Sequence, residues 1–300
     1  MRRLIRFAQP VVILCLALAG RETSVAQERP LKIFISVDME GIGGIGTAAM
    51  TSATGKDYAT GRELMTAEVN AVIAAIKRHG RAEILVNDSH GDHQNLLHTE
   101  LPADVEYIQG ALKPFGMMEG LTRDFDGVIL LGCHARAGAP YAFLSHTGSS
   151  TLEGLWINGV EVGEGGMNAH YAGSLGVPVL LASGDSAFVE EFAALGTGAR
   201  LVTTKHAIGH GAARLLHPEV VRERLALAIG KALPDTERAR PMRVKEPVAL
   251  RLRFNTVTRA DIAESIPGVG RVDGVTVEYR AATMAEGQKL IRLMYRYLDW

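Results

Sequence analysis

The chain has 300 residues, of which 47% are hydrophobic and 22% are charged, and its 32 basic and 33 acidic residues give a net charge of −1 at pH 7. The lysines and arginines are scattered and form no basic stripe, which argues against nucleic acid and against an anionic membrane surface as partners. The length allows one large domain, or one domain with a small appendage, and an ample apolar core.

The first thirty residues differ in character from the rest. Arg2 and Arg3 begin a basic start, an apolar run covers residues 11–19, and small residues precede position 27. This pattern is typical of a secretory signal peptide, which we expect to span residues 1–26. A membrane anchor is the alternative, but the apolar run is about half of the roughly 20 residues that cross a bilayer. We therefore expect an exported protein, periplasmic or secreted, with no membrane segment after cleavage.

Only Cys133 remains once this segment is removed, because the other cysteine, Cys15, lies within it. A single thiol forms no internal disulfide, so an exported protein of this kind must be stabilised by its core, by metal or by oligomerisation. We interpret Cys133 as a small, buried apolar side chain.

Apolar stretches of strand length recur along the chain, and most are followed by segments with helical periodicity. They lie at residues 31–37, 83–87, 128–131 and 177–182. They are apolar on both faces, as in strands of a parallel sheet covered by helices. A long helix is predicted over residues 60–79, with Gly80 as its C-terminal stop. The pattern predicts an α/β fold with a mostly parallel sheet flanked by helices.

Asn158 and Gly159 separate two short apolar runs and favour a type I′ turn, which predicts a β-hairpin. A further helix is predicted over residues 218–233 and precedes a polar, proline-bearing segment at residues 234–247.

Beyond that segment, an alternating strand that begins at Val248, a short helix, a second strand and a terminal helix predict a small α+β unit. We therefore divide the mature chain into a catalytic α/β domain, residues 31–240, and a small α+β C-terminal domain, residues 247–300.

Carboxylates and imidazoles follow the predicted strands. Asp38 and Glu40 follow the first strand, His90 the second, His134 the third, and the hairpin leads to Glu164. Ligands in parallel α/β proteins collect at the carboxyl ends of strands, so these side chains should meet at one edge. Asp38 and Glu40 leave an extended chain on the same face, where two carboxylates repel unless a proton or a cation lies between them.

Three carboxylates and two imidazoles suit zinc, and five ligands exceed the needs of one open catalytic zinc. Two metals that share one carboxylate fit this set better. Taken singly, Asp38 or Glu40 is also compatible with a helix cap, and His90 with an exposed loop. The convergence of all five on one sheet edge is what favours a metal site.

Gly41, Gly43 and Gly46 have the spacing G-x-G-x-x-G of a dinucleotide-binding turn. That motif should open directly into a helix and be followed about 20 residues later by an acid that closes the next strand. Here neither feature follows, and Asp38 and Glu40 would repel a pyrophosphate. We interpret the glycines as a loop that lets the backbone pass close to the metal site.

Two further histidine patterns need separate interpretation. His206 and His210 imitate the spacing of a zinc-protease helix, but the glutamate of H-E-x-x-H is missing, so we interpret both as ordinary surface or packing residues. His146 lies outside the strand-end set and follows a loop that contains glycine and proline. It is a candidate for proton transfer or oxyanion stabilisation, and a hydrogen-bonded structural histidine remains the alternative.

Five segments occur in a fixed order between Lys32 and the C-terminus. They are Ser36-Val37-Asp38-Met39-Glu40-Gly41, Val86-Asn87-Asp88-Ser89-His90, Gly132-Cys133-His134-Ala135-Arg136, Ser145-His146, and Val162-Gly163-Glu164 leading to Asn168-Ala169. In these segments the chain resembles the zinc-dependent D-aminopeptidases associated with dipeptide-transport operons. The resemblance covers nearly the whole mature chain.

The resemblance implies a dinuclear zinc centre in which Asp38 bridges both ions. It implies that Glu40 and His134 complete one zinc, that His90 and Glu164 complete the other, and that His146 is the catalytic histidine. It also implies release of N-terminal D-amino acids, such as D-alanine, from short peptides by a ring-shaped homo-oligomer. The family is chiefly intracellular, whereas this chain has a predicted export signal, so wall-derived or environmental peptides are the expected substrates.

Other functions stay open at this point. A different metal-dependent amidase or phosphoesterase could use the same scaffold, although a phosphoesterase would need more cationic groups than Arg136 and Lys113 near the five segments. A non-catalytic exported zinc-binding protein could use the same ligands without turnover. A nicotinamide oxidoreductase would have to bind a nucleotide.

Overall fold

The computed structural model describes residues 29–296. In chain order, its strands and α-helices are β1 (Leu31–Val37), α1 (Tyr58–Lys77), β2 (Ala82–Asp88), β3 (Glu106–Ile108), β4 (Gly127–Cys133), β5 (Leu152–Ile157), β6 (Val160–Glu161), α2 (Glu164–Ser174), β7 (Val179–Asp185), α3 (Ser186–Ala193), β8 (Arg200–Gly209), β9 (Ala212–Leu215), α4 (Pro218–Ala232), β10 (Val248–Phe254), α5 (Val257–Glu264), β11 (Gly270–Arg271), β12 (Thr276–Ala281) and α6 (Met284–Arg296). The predicted signal peptide, residues 1–26, lies outside the described residues.

A seven-stranded sheet with the order β3-β2-β1-β4-β7-β8-β9 forms the centre of the molecule. All neighbouring strands are parallel except β8 and β9, which form an antiparallel pair at one end. The predicted mostly parallel α/β sheet is therefore confirmed. The strand order reverses between β1 and β4, which makes the carboxyl ends of these two strands the switch point where α/β proteins bind ligands.

Helices cover both faces of this sheet, as the apolar character of its strands predicts. On one face, Ile33 and Ile35 share a buried core with α1 and α4. On the other face, Phe34 shares a core with α2, with α3 and with a second sheet. Within residues 29–296, no helix is both long enough and apolar enough to cross a bilayer.

The second sheet is antiparallel and five-stranded, with the order β11-β12-β10-β5-β6. Strand β10 buries alternate residues, in keeping with its sequence pattern. The predicted hairpin is present as β5 and β6, and Asn158 and Gly159 between them have φ angles of 50° and 84°. Because β5 pairs with β10, the sheet joins the hairpin to strands that lie beyond the proline-bearing segment. The proposed division at residues 240–247 stays a prediction.

Candidate metal centre

The five predicted ligands meet at the carboxyl edge of the central sheet. Asp38 and Glu40 follow β1, His90 follows β2, His134 follows β4, and Glu164 is the first residue of α2. All five are withdrawn from solvent, with exposed fractions of 3% for Asp38 and 2% for His134. The site therefore lies at the β1/β4 switch point, where the order of the strands in the sheet reverses.

Asp38, Glu40 and His90 form the first group of the site. The His90 Nδ1 atom lies 3.1 Å from Asp38 Oδ1 and 3.0 Å from Glu40 Oε2. One atom from each residue falls within 4.8 Å of the other two, a spacing that can hold a single metal ion. Because β1 and β2 are neighbours in the sheet, this group is assembled from adjacent strand ends.

His134, His146 and Glu164 form the second group, which satisfies the same spacing. The His134 Nε2 atom lies 3.6 Å from Glu164 Oε2, and His146 Nε2 lies 3.8 Å from Glu164 Oε1. The rings of His134 and His146 are stacked, with centroids 4.0 Å apart. Asp38 touches this group too, since its second oxygen, Oδ2, lies 3.3 Å from His134 Nε2.

The contacts within these groups differ from the pairing that the family resemblance implies. That pairing joins Glu40 with His134 and His90 with Glu164. In the structure His90 contacts Glu40, and His134 contacts Glu164. The strand order explains the difference, because β2 and β4 lie on opposite sides of β1 and carry their histidines to opposite sides of Asp38.

Each histidine of the site uses one ring nitrogen to bind a backbone carbonyl. The contacts are His90 Nε2 to Thr51 O (2.8 Å), His134 Nδ1 to Ala135 O (3.0 Å) and His146 Nδ1 to Leu144 O (2.9 Å). A carbonyl oxygen can only accept, so these nitrogens are the N–H donors. The opposite nitrogen of each ring then faces the carboxylates, as in metal-binding histidines, whose orientation is set by such outer contacts.

His134 Nε2 is the atom that most directly indicates a cation. It is buried and makes no hydrogen bond, although two carboxylates lie within 3.6 Å. A buried polar atom without a partner is costly unless a missing group satisfies it. Imidazole nitrogen and carboxylate oxygen are the donors that zinc accepts, so these residues fit a zinc ion at this position.

The electrostatics of the site also favour positive charge. Burial raises the pKa of the Asp38 carboxyl, and the adjacent Glu40 raises this pKa further. Burial by itself would lower the pKa of His134, but Glu164 and Asp38 outweigh burial and hold that pKa well above its ordinary value. Burial by itself would raise the pKa of the Glu164 carboxyl, but His134, His146 and the Gly148 N–H together outweigh burial and lower this pKa to about 2. A divalent cation would supply the positive charge without the protons.

The glycine-rich loop after Glu40 opens no α-helix, since only a three-residue 3-10 turn, Ala48–Met50, follows it and α1 begins at Tyr58. The Gly41 N–H donates to Gly132 O over 2.7 Å, and a Cβ atom at Gly41 would lie 2.0 Å from Cys133 O. The predicted close approach of the backbone is therefore confirmed. It holds the first group against the strand that carries His134.

Two buried charged residues that the sequence interpretation missed hold this loop. The Lys205 ammonium donates to Glu40 O and, over 2.7 Å, to Ile45 O, while Glu68 Oε2 accepts the Gly43 N–H over 2.8 Å. Burial raises the pKa of Glu68 to about 7 and lowers the pKa of Lys205 to about 7. Glu68 was detectable, because it lies within the apolar stripe of the predicted long helix. No local sequence pattern indicated that Lys205 is buried or that it binds this loop.

A cleft of about 810 Å³ opens beside the centre. Its lining includes Glu40 and His146 from the site, and Trp156 and Arg253 from the outer face of the antiparallel sheet. The His146 side chain is 32% exposed, more than the 1% of His134. A substrate in this cleft would therefore reach His146 and the first group from the solvent side.

Three other residues considered from the sequence, Cys133, His206 and His210, lie outside the two groups that could hold a metal. Cys133 is a free thiol whose side chain belongs to the apolar core. His206 lies on strand β8 rather than on a helix, and His210, at the tip of the β8–β9 hairpin, is exposed at the rim of the cleft. Neither histidine belongs to a group of metal-binding geometry among residues 29–296.

Known proteins are similar to this chain in both sequence and fold. A family model described as D-aminopeptidase matches residues 31–293. The D-aminopeptidase of Bacillus subtilis (strain 168) is 34% identical over 265 residues, which cover 88% of this chain and 96% of the relative. The structure of the Zn-dependent D-aminopeptidase DppA from Bacillus subtilis, described as a self-compartmentalizing protease, superposes with a TM-score of 0.87 at 33% identity. It covers 89% of this chain and 98% of the relative.

Proposed function

The chain belongs to the D-aminopeptidase family, and on that premise we propose that it is a dinuclear zinc enzyme that releases N-terminal D-amino acids, of the D-alanine type, from short peptides. Membership of this family makes it a metallo-aminopeptidase. The proposal adds the number of ions and the substrate. The main support for two ions is the Asp38 carboxylate. Its Oδ1 lies 3.1 Å from His90 Nδ1 in the first group, and its Oδ2 lies 3.3 Å from His134 Nε2 in the second.

In this proposal Asp38 is the shared ligand. Glu40 and His90 complete one ion, and His134 and Glu164 complete the other, which follows the contact distances rather than the pairing implied by the resemblance. Bound there, two zinc ions would activate a water molecule, polarise the scissile carbonyl and neutralise the developing oxyanion.

His146 has the role of proton carrier at the edge of the centre. Its Nδ1–H donates to Leu144 O, so Nε2 is the atom left to accept or release a proton. The His146 side chain lines the cleft, its Nε2 atom lies 3.8 Å from Glu164 Oε1, and a peptide bound in the cleft would be within its reach. We assign it to the departing amine or to the oxyanion, as general acid or hydrogen-bond donor.

Short peptides are the proposed substrates. The cleft volume of about 810 Å³ falls within the range of roughly 300 to 1,000 Å³ that small-molecule sites occupy. In this proposal the peptide would lie along Trp156, and Arg253, which also pairs with Glu153 over 3.5 Å, would face the peptide carboxylate.

Assembly and location are part of the same proposal. The related DppA is described as self-compartmentalizing, and we propose that this chain also forms a ring-shaped homo-oligomer that restricts access to its sites. From the basic and apolar segment at residues 1–26 we further propose export, with peptides outside the cytoplasm as substrates.

Metal analysis and a stereochemical substrate panel together test the function. Purified protein should contain two zinc ions per chain and should cleave D-Ala-D-Ala and D-Ala-containing tripeptides faster than the all-L peptides of the same composition. Loss of turnover on chelation and its recovery with zinc is the matched control. Equal rates on the two series of peptides would refute D-specificity. Cleavage of non-peptide amides without cleavage of peptides would favour another amidase. Bound zinc without any turnover would favour a zinc-binding protein.

A further inference from the structure

Helix α3 and its N-cap Asp185 together contact every segment that supplies the second group, although none of their residues is a ligand. Asp185, which caps the helix by accepting the Phe188 N–H over 3.1 Å, also accepts the Phe143 N–H over 3.1 Å, just before the loop that carries His146. Glu191, two turns further along the helix, faces the other two segments. The three segments that supply the second group are therefore all hydrogen-bonded to one helix or to its N-cap.

Glu191 binds two of the three segments that supply the second group. Its Oε2 accepts the backbone N–H of Arg136 over 2.9 Å, and its Oε1 accepts the N–H of Gly163 over 3.2 Å. Arg136 lies two residues after His134, and Gly163 immediately precedes Glu164. One carboxylate thus spans two backbone segments whose side chains must meet at the same ion.

The residue at position 163 fits this arrangement. A Cβ atom there would lie 2.7 Å from Glu191 Oε1 and 2.9 Å from Arg136 Cβ, closer than such contacts allow. Gly163 has an ordinary φ of −92°, so its lack of a side chain is explained by the close approach of Glu191 and Arg136 and not by a backbone conformation reserved for glycine.

We propose that Glu191 is a positioning residue of the metal centre that sets the separation of His134 and Glu164 and so tunes zinc affinity at the second group. This inference rests on the two-zinc proposal. Outer contacts that orient ligands typically change metal affinity by about 10- to 100-fold when they are removed. The effect should be confined to one of the two ions, because the first group is held instead by Lys205 and Glu68.

Zinc titration against a competing chelator tests the proposal in full-length Glu191→Ala and Glu191→Gln proteins. We expect one zinc to bind about 10- to 100-fold more weakly in Glu191→Ala while the other keeps its affinity. Glu191→Gln, which retains one acceptor oxygen, should lose less. The control is Glu190→Ala, which removes an exposed carboxylate from the same helix.

The outcomes separate a positioning role from a merely structural one. Thermal unfolding of the zinc-free variants reports general destabilisation, whereas selective weakening of one ion reports the geometry of the second group. Unchanged affinity for both ions, or equal weakening of both, would overturn the role of Glu191. A wild-type protein that binds fewer than two zinc ions would refute the two-metal proposal itself, whatever the variants do.

Discussion

The two groups of the candidate metal centre are built in different ways. Asp38, Glu40 and His90 extend from the ends of neighbouring strands, and the sheet itself brings them together. In the second group, only His134 follows a strand, while His146 lies on an irregular loop and Glu164 begins a helix. The pairing of β1 with β2 thus brings the first group together, and Lys205 and Glu68 only hold the loop that follows Glu40. No strand pairing joins the three segments of the second group, which depend on side-chain hydrogen bonds from Asp185 and Glu191.

The largest expected effect comes from removing the residue that both groups share. Asp38→Asn keeps the size of the side chain but loses the charge between the groups, so zinc content should fall and kcat/KM should drop more than about 1,000-fold. Metal analysis and peptide kinetics measure both. Asp92→Asn, which changes an exposed acid two residues from His90, is the control. If Asp38→Asn retained two zinc ions and normal rates, the shared-ligand assignment would be wrong.

The next effect separates chemistry from metal binding within the second group. His146→Ala should keep both zinc ions, because Glu164 and His134 remain, while kcat falls about 100- to 10,000-fold through loss of the proton carrier. The pH profile of kcat should change in the same variant. His206→Ala, on strand β8, is the control. Loss of one zinc in His146→Ala would make this residue a ligand, and near-normal turnover would remove it from the mechanism.

A smaller effect concerns the support beneath the first group. The pKa of Glu68 is raised by burial from 4.5 to about 7, so its stabilising, protonated form is fully present below pH 4.5 and is lost as pH rises through 7. The free energy of unfolding of the wild type, relative to Glu68→Gln, should therefore fall by on the order of 3 kcal/mol across this range.

Denaturant unfolding in the presence of a chelator, at several pH values between 4.5 and 8, measures this difference. The matched control is Glu63→Gln, which changes an exposed carboxyl on the same helix and should leave the pH dependence as in the wild type. A Glu68→Gln protein with an unchanged pH dependence would show that this carboxyl is ionised throughout.

The smallest effect is expected at Cys133, which adjoins His134 in sequence but packs into the apolar core. Cys133→Ala should keep both zinc ions and a kcat/KM close to that of the wild type, at a stability loss of about 1 kcal/mol. Zinc content and thermal unfolding check this. Loss of zinc in Cys133→Ala would place the thiol in the metal centre and contradict its interpretation as a packing residue.

The sequence predicted much of the fold because the relevant signals are local. The strand predicted at residues 31–37 and the helix predicted at residues 60–79 lie at Leu31–Val37 and Tyr58–Lys77. The short helices α2 and α3 escaped prediction. Helix α2 is buried along most of its eleven residues and so has no polar face, and α3, with eight residues, is too short for its helical periodicity to stand out in the sequence.

Local sequence patterns were enough to name the residues of the centre, because strand ends and side-chain chemistry are local properties. How these residues meet depends on the packing of the whole chain. The strand order carries His90 and His134 to opposite sides of Asp38, the hairpin joins a sheet formed largely by the C-terminal strands, and Glu191 and Lys205 bind segments distant along the chain. Strand order and such long-range hydrogen bonds leave no periodic pattern in a sequence, since they depend on where remote segments pack.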